Sequence, residues 1–208
     1  MLRWLKLILK IVLRISLRIA QIINPQINPN RRFILTPEEL EIILKLAQTI
    51  NPQINPKKRF TLTLDSLKKS RLLPDGTLGR EVARFLDENG FEPINSGDWI
   101  QQTHDVWHVL TGFSSSAHDE IMLQIFTRAQ VFRPTSAVVV LVGLVTDLCN
   151  FQEIRQVLKM GKQAQPLIDW DIESDWRTPL AEVRQRLNVI PLNELQEEFS
   201  GVTVSRTV

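Results

Sequence analysis

Tyrosine is absent from the 208-residue chain, and cysteine occurs once. Without tyrosine, no phenolic side chain can serve as an acid. The lone Cys149 excludes an internal disulfide framework and a zinc site built from several thiolates. It fits a reducing compartment and reads as a small buried hydrophobe. Histidine is scarce as well: His104, His108 and His118 are the only three. With none before His104, a phosphohydrolase of the His-Asp type lacks the upstream histidine it needs. Asp105, not a glutamate, follows the first histidine, so the helical zinc-protease pattern fails too. No flavin or nicotinamide pattern is present. Acidic residues are missing from residues 1–37, which hold seven Lys/Arg, so the other 171 residues carry 18 basic against 23 acidic side chains. Nucleic-acid binding spreads positive charge over the folded domain; here it sits at the front end, and no nucleic-acid partner is expected.

What the chain does contain is His104-Asp105-Val106-Trp107-His108, with Glu120 twelve residues further on. On a helix, at about 100° per residue, His108 lies about 40° from His104 and Asp105 about 100° away, so one face offers two imidazoles and a carboxylate. Gly112 and Ser114-Ser115-Ser116 leave room for a helix stop, a turn and the start of a second helix that swings Glu120 back over the rings. Two histidines with one or two carboxylates leave coordination positions open, which suits a divalent ion doing chemistry.

Residues 1–23 are predicted to form a basic amphipathic helix. Arg3, Lys6, Lys10, Arg14 and Arg18 fall within an arc of about 120°, against a face of Leu, Ile, Val and Trp. Five cations disfavour a bilayer span at roughly 2.5–3.5 kcal/mol each, and they interrupt any secretory apolar core. The expectation is a helix lying in the membrane interface, with an organelle-targeting presequence or a helix packed on the chain's own core as rivals. A second segment, 24–71, contains a duplication: INPQINPNRRFILT from Ile23 and INPQINPKKRFTLT from Ile50 agree at eleven of fourteen positions. Each copy is an Asn-Pro knuckle pair, a basic cluster and a helix start; in the first, Thr36-Pro37-Glu38-Glu39 caps a helix over Pro37–Gln48. No chemistry attaches to the duplication.

Residues 72–208 form the predicted core. Leu73-Pro74-Asp75-Gly76 is a turn, and Thr77–Asp87 runs with helical spacing to a stop at Asn89-Gly90. Further helices are predicted over Ile100–Leu110, from Ser116 to about Phe132, over Glu153–Gly161 and over Pro179–Leu187. The valine-rich run Ala137–Val145 reads as a buried helix rather than a strand. The tail from Ser200 is expected to fray. No alternation supports a sheet. The fold class is therefore all-α, a single-domain helical bundle with a metal site between facing helices and an apolar pocket.

His104-Asp105-x-x-His108-x11-Glu120, with LPDGTLGREVARFLD at Leu73–Asp87, resembles the coenzyme Q (ubiquinone) biosynthesis protein four family over roughly Leu72 to Leu187. WRTPLAEVRQRL, from Trp176, resembles the family's closing helix. The resemblance implies a helical protein peripheral to a membrane, on the cytoplasmic or mitochondrial-matrix face, with one divalent metal (zinc or magnesium, iron as a third choice) held by His104, Asp105, His108 and Glu120. It implies a place in ubiquinone formation. The family is credited with oxidative decarboxylation at ring carbon 1 of a prenylated aromatic precursor, a metal-dependent lyase reaction, and was long regarded as an organiser of the other quinone-biosynthesis enzymes. Both readings stand at this stage. On the first, Asp105 is a fourth ligand or shuttles a proton, and Arg80 and Arg84 pair with an anionic head group or, alternatively, with Glu81 or Asp87. The prenyl or other isoprenoid lipid lies along apolar helices, each buried methylene contributing about 0.8 kcal/mol. Expected partners are that lipid, the membrane surface, other quinone-biosynthesis enzymes and a second copy of the chain in a homo-oligomer.

Overall fold

The computed structural model describes residues 60–192 and residue 194. The basic helix over 1–23, the first knuckle copy, the helix over Pro37–Gln48 and the tail from Ser200 lie outside the described residues.

The second knuckle copy ends at Thr63, whose hydroxyl accepts the Ser66 amide while Ser66 reaches back to the Thr63 amide. This reciprocal cap starts α1, Leu64–Ser70, where a helix start was predicted. Leu67 is buried, so the end of the duplicated segment packs into the same core as the residues that follow. After the turn at Asp75-Gly76 comes α2, Leu78–Asn89, with Leu78, Val82, Ala83 and Leu86 on its buried face. Gly90 closes it at φ 67°, a left-handed geometry that favours glycine.

The predicted helix over Ile100–Leu110 is two helices. α3, Trp99–Gln102, ends at Thr103, and α4, His104–Thr111, starts there. Thr103 sits at φ −103° and ψ 5°, and its hydroxyl donates back to the Trp99 carbonyl at 2.8 Å. That side-chain bond competes with regular helix geometry and breaks the axis. Gly112, at φ 76°, stops α4. Ser116 caps α5, Ala117–Gln130. Pro134 opens α6, Pro134–Val145, and Asn150 caps α7, Phe151–Gln163. A 3-10 turn at Leu167–Asp169, the short α8, Ile172–Asp175, and α9, Leu180–Leu187, complete the described chain.

α5 is the central helix, with α6 and α7 packed along it. Glycines permit the close approach: a Cβ on Gly161 would stand 2.6 Å from the Ala129 Cβ, and one on Gly143 would stand 2.9 Å from Ile121. α4 packs between α2 and α5. Trp107 of α4 stands edge-on to Phe126 of α5 at 6.1 Å and to Trp99 of α3 at 6.2 Å. The start of α9 is tied to the start of α2 by an isolated bridge between Thr77 and Pro179. Arg184 of α9 caps the far end of α4, donating from Nε to the Leu110 carbonyl at 2.9 Å and from Nη2 to the Val109 carbonyl at 2.8 Å. Among the described residues there are helices and no strands, so the fold class is all-α, as predicted.

One expectation needs correcting. The valine-rich run is helical, but it is not buried. Val138, Val139, Val140, Leu141 and Val142 are only half-buried, while Ser136 and Gly143 are buried against α5. Composition gave its apolar character, whereas packing on one side only set its exposure. Among the described residues, no helix is long and apolar enough to cross a membrane.

Candidate metal centre

His104 opens α4 and His108 lies one turn later, on the face turned toward α5. Glu120 sits in the first turn of α5, brought there by the Gly112 stop and the serine turn. The three side chains converge. His108 Nε2 stands 3.0 Å from Glu120 Oε1 and 3.1 Å from His104 Nε2, and His104 Nε2 stands 3.2 Å from Glu120 Oε2. One donor atom from each lies within 4.8 Å of the others. The rings meet edge to face, with centroids 4.7 Å apart.

The protonation of His108 makes this cluster informative. Its ring is buried, and Nδ1 lies 3.1 Å from the carbonyl of Phe113. A carbonyl accepts only, so Nδ1 carries the proton and Nε2 of the neutral ring is a lone pair. That lone pair faces a carboxylate oxygen and a second imidazole nitrogen. A single proton can relieve one such contact; a divalent cation relieves all three. Zinc bonds of about 2.0–2.1 Å in tetrahedral geometry separate ligand atoms by about 3.3 Å, close to the spacing here. A backbone carbonyl on the far nitrogen is also how metal-bound histidines are held in orientation. Phe85 of α2 stacks on the other side of His108, centroids 5.1 Å apart. The residues present fit a divalent metal.

Burial alone would raise the pKa of Glu120. Where protons rather than a metal ion fill the gap between the three side chains, hydrogen bonds and charge from His104 and His108 outweigh that and hold it at about 2. Asp105 is buried, which pushes its pKa up, while charge on His104 and His108 pulls the other way. It feels the cluster electrostatically but is not among the three converging donors. Arg80 and Arg84 are occupied elsewhere. Arg80 Nε bonds Asp75 at 3.1 Å, and Arg84 bonds Asp75 and Glu81, each at 2.8 Å. Both brace the Asp75-Gly76 turn against α2. Arg84 also lines a cleft beside His108, and Arg80 does not. His118, the third histidine, pairs with Asp119 and Glu153 away from the cluster.

A cavity of about 330 Å³ opens onto His104 between α3, α5 and α6, with Ile94, Ile100 and Val139 among its apolar walls. Its polar wall includes Gln101, Gln124, Arg133 and Thr135. Sequence reasoning missed these, together with Phe85 and the Phe113 carbonyl. Phe113 had a signal, since it directly follows the Gly112 stop. The others are brought in by tertiary packing alone.

Residues 98–193 match the family model described as "Coenzyme Q (ubiquinone) biosynthesis protein Coq4", a stretch that contains the metal cluster. Among curated proteins, the chain is 29% identical over 143 residues to the mitochondrial ubiquinone biosynthesis protein COQ4 homolog of Danio rerio, covering 59% of this chain and 53% of that protein. It is 26% identical over 152 residues to the homolog of Nematostella vectensis, covering 62% of this chain and 73% of that one. The chain thus spans about half the length of the vertebrate relatives it matches. A crystal structure of a protein from Nostoc punctiforme PCC 73102, named for ubiquinone biosynthesis, superposes with a TM-score of 0.51 at 26% identity, covering 71% of this chain and 80% of the other. The family's match lies over α3 to α9 and the same name recurs among the relatives, so over that stretch the chain is similar to the coenzyme Q (ubiquinone) biosynthesis protein Coq4 family.

Proposed function

We propose that the protein holds one divalent metal through His104, His108 and Glu120 and acts in oxidative decarboxylation at ring carbon 1 of a prenylated aromatic acid at a membrane surface. The observation that carries this reading is the convergence of three lone-pair donors on one point, with His108 fixed in the tautomer that presents Nε2. Two imidazoles and one carboxylate suit zinc or iron better than magnesium, which favours all-oxygen ligands. When bound, the metal supplies a Lewis acid for the substrate's carboxylate or ring oxygen.

The two-electron oxidant that the reaction consumes would come from outside the chain, whose own residues hold and orient the other groups. The Phe113 carbonyl and the Phe85 ring hold His108 in place, so the donor atoms do not have to reorganise. Asp105, beside His104 and shielded from water, is placed to take or return a proton at its carboxylate. Ile94, Ile100 and Val139 line the adjoining cavity with apolar surface that excludes water from the ring and receives the start of the prenyl chain. The relatives' mitochondrial names support a membrane-bounded setting in which such a lipid would be met.

Elemental analysis of the purified chain tests the centre: about one metal per chain is expected, and none in His108→Ala. Retention of metal by that variant would remove the site. Complementation of a quinone-deficient strain tests the activity. Failure of metal-ligand variants that still fold supports catalysis. Full rescue by them would instead favour a lipid-binding organiser of the other biosynthetic enzymes.

A further inference from the structure

The Phe113 carbonyl that holds His108 is itself held. It belongs to the peptide unit joining Phe113 to Ser114, and the N–H of that unit donates to Asp119 Oδ2 at 2.8 Å. In a trans peptide the N–H and the C=O point in opposite directions. One edge of the plane therefore takes His108 Nδ1–H, at 3.1 Å, while the other meets a carboxylate. A continuous path results: Asp119 carboxylate, Ser114 N–H, Phe113 carbonyl, His108 Nδ1–H. It ends at the Nε2 lone pair that faces Glu120 and His104.

The first turn of α5 thus serves the cluster twice. Glu120 reaches it directly, and its neighbour Asp119 reaches it through the peptide. Asp119 is firmly placed. Its Oδ2 also accepts the Ser114 hydroxyl at 2.6 Å, its Oδ1 lies 3.0 Å from His118 Nδ1, and the side chain is only 14% exposed. The Ser116 hydroxyl, not this carboxylate, caps α5. A negative charge on the N–H side polarises a peptide, so its carbonyl becomes a stronger acceptor. Metal-bound histidines are often oriented by a carboxylate on the far nitrogen; here one peptide unit stands between the two.

We propose that Asp119 is a positioning residue for the metal. Through the Phe113–Ser114 peptide it keeps His108 in the tautomer and orientation that present Nε2 to the ion. This rests on the metal reading above and adds to it a residue that does not itself touch the ion.

The test measures zinc affinity of the full-length protein by competition with a chromophoric chelator. Asp119→Ala should bind zinc about 10–100-fold more weakly than wild type, the usual effect of removing an outer-shell partner. Asp119→Asn keeps an oxygen for the Ser114 amide but loses the charge, and should weaken binding about three- to tenfold. His118→Ala removes only the contact on Oδ1 and should bind as wild type does. In 15N-labelled, chelator-treated protein, the His108 ring nitrogens should show the Nδ1–H form in wild type and move away from it in the Asp119 variants. Wild-type affinity in Asp119→Ala overturns the proposal. So does a loss of affinity with unmoved His108 nitrogens, or an equal loss in His118→Ala, which assigns the effect to the loop as a whole. If Asp119→Ala does not fold, Asp119→Asn decides by the same two readouts. No zinc binding by wild type removes the metal reading and this proposal with it, whereas binding that is indifferent to Asp119 removes this proposal alone.

Discussion

Replacing Glu120 with glutamine separates a metal centre from an ordinary hydrogen-bonded cluster, because the two predict opposite behaviour. The substitution keeps side-chain volume and removes the charge. The Glu120 side chain is 37% exposed, so loss of its contacts to His104 and His108 costs the metal-free protein about 1 kcal/mol at most. The new amide can also donate to the His108 Nε2 lone pair, offsetting part of that. Zinc at a hundred times its Kd stabilises a protein that binds it only when folded by about 2.7 kcal/mol. At about 2–4 °C per kcal/mol for a domain of this size, the wild-type melting temperature should rise by roughly 5–11 °C. Glu120→Gln, with one of three ligands weakened, should rise little. The assay is thermal unfolding followed by circular dichroism, with and without zinc, and with excess chelator as control. If zinc raises both proteins equally, the ligand assignment is wrong. If zinc raises neither, and the metal-free variant melts many degrees below wild type, the cluster is an ion-paired network.

Three other substitutions or conditions follow from described contacts. Acid should erode the contribution of Glu120 in a defined window: its folded pKa of about 2 lies below the ordinary 4.5, so the stabilisation is present above pH 4.5 and lost as the pH falls toward 2. The urea midpoints of metal-free wild type and Glu120→Gln should converge across that window, and a constant gap would contradict the assignment. Arg184→Ala removes two charged hydrogen bonds from carbonyls at the end of α4 and should cost about 1.5–3 kcal/mol in urea unfolding, without changing the metal stoichiometry. Gly79→Ala places a Cβ 2.5 Å from Trp176 Nε1, which is itself held by Ser70, so overpacking should cost about 1–3 kcal/mol; an unchanged melting temperature would mean the indole moves aside freely.

The metal ligands could be read from the sequence because their geometry is local. The i, i+4 spacing of His104 and His108 sets their shared face, and Gly112 with Ser116 dictates the reversal that returns Glu120. Similarly, Thr63 and Gly90 announced helix ends through caps that depend on a few adjacent residues. What stayed hidden depends on partners far along the chain. The bonds from Arg184 to the carbonyls of α4 cross 74 and 75 positions, and the Arg133–Asp98 pair crosses 35. Arg80 and Arg84 are expected to meet either an anionic head group or Glu81 or Asp87; Arg84 does pair with Glu81, and the unforeseen partner of both is Asp75, which comes within reach once its turn folds back on α2. The break at Thr103 has neither glycine nor proline to mark it; a hydroxyl turning inward to the Trp99 carbonyl is enough. The exposure of α6 depends on which neighbours cover it, and an all-apolar run says nothing of that.

The interruption at Thr103 bears on how an ion enters and leaves. His108 is clamped on two sides, by the Phe113 carbonyl and the Phe85 ring, so it behaves as a fixed post. His104 opens its helix at the break after α3, is partly exposed, and borders the cavity. Loading and exchange should therefore proceed through its movement, and the on-rate should answer to changes at Thr103 more than to changes beneath His108.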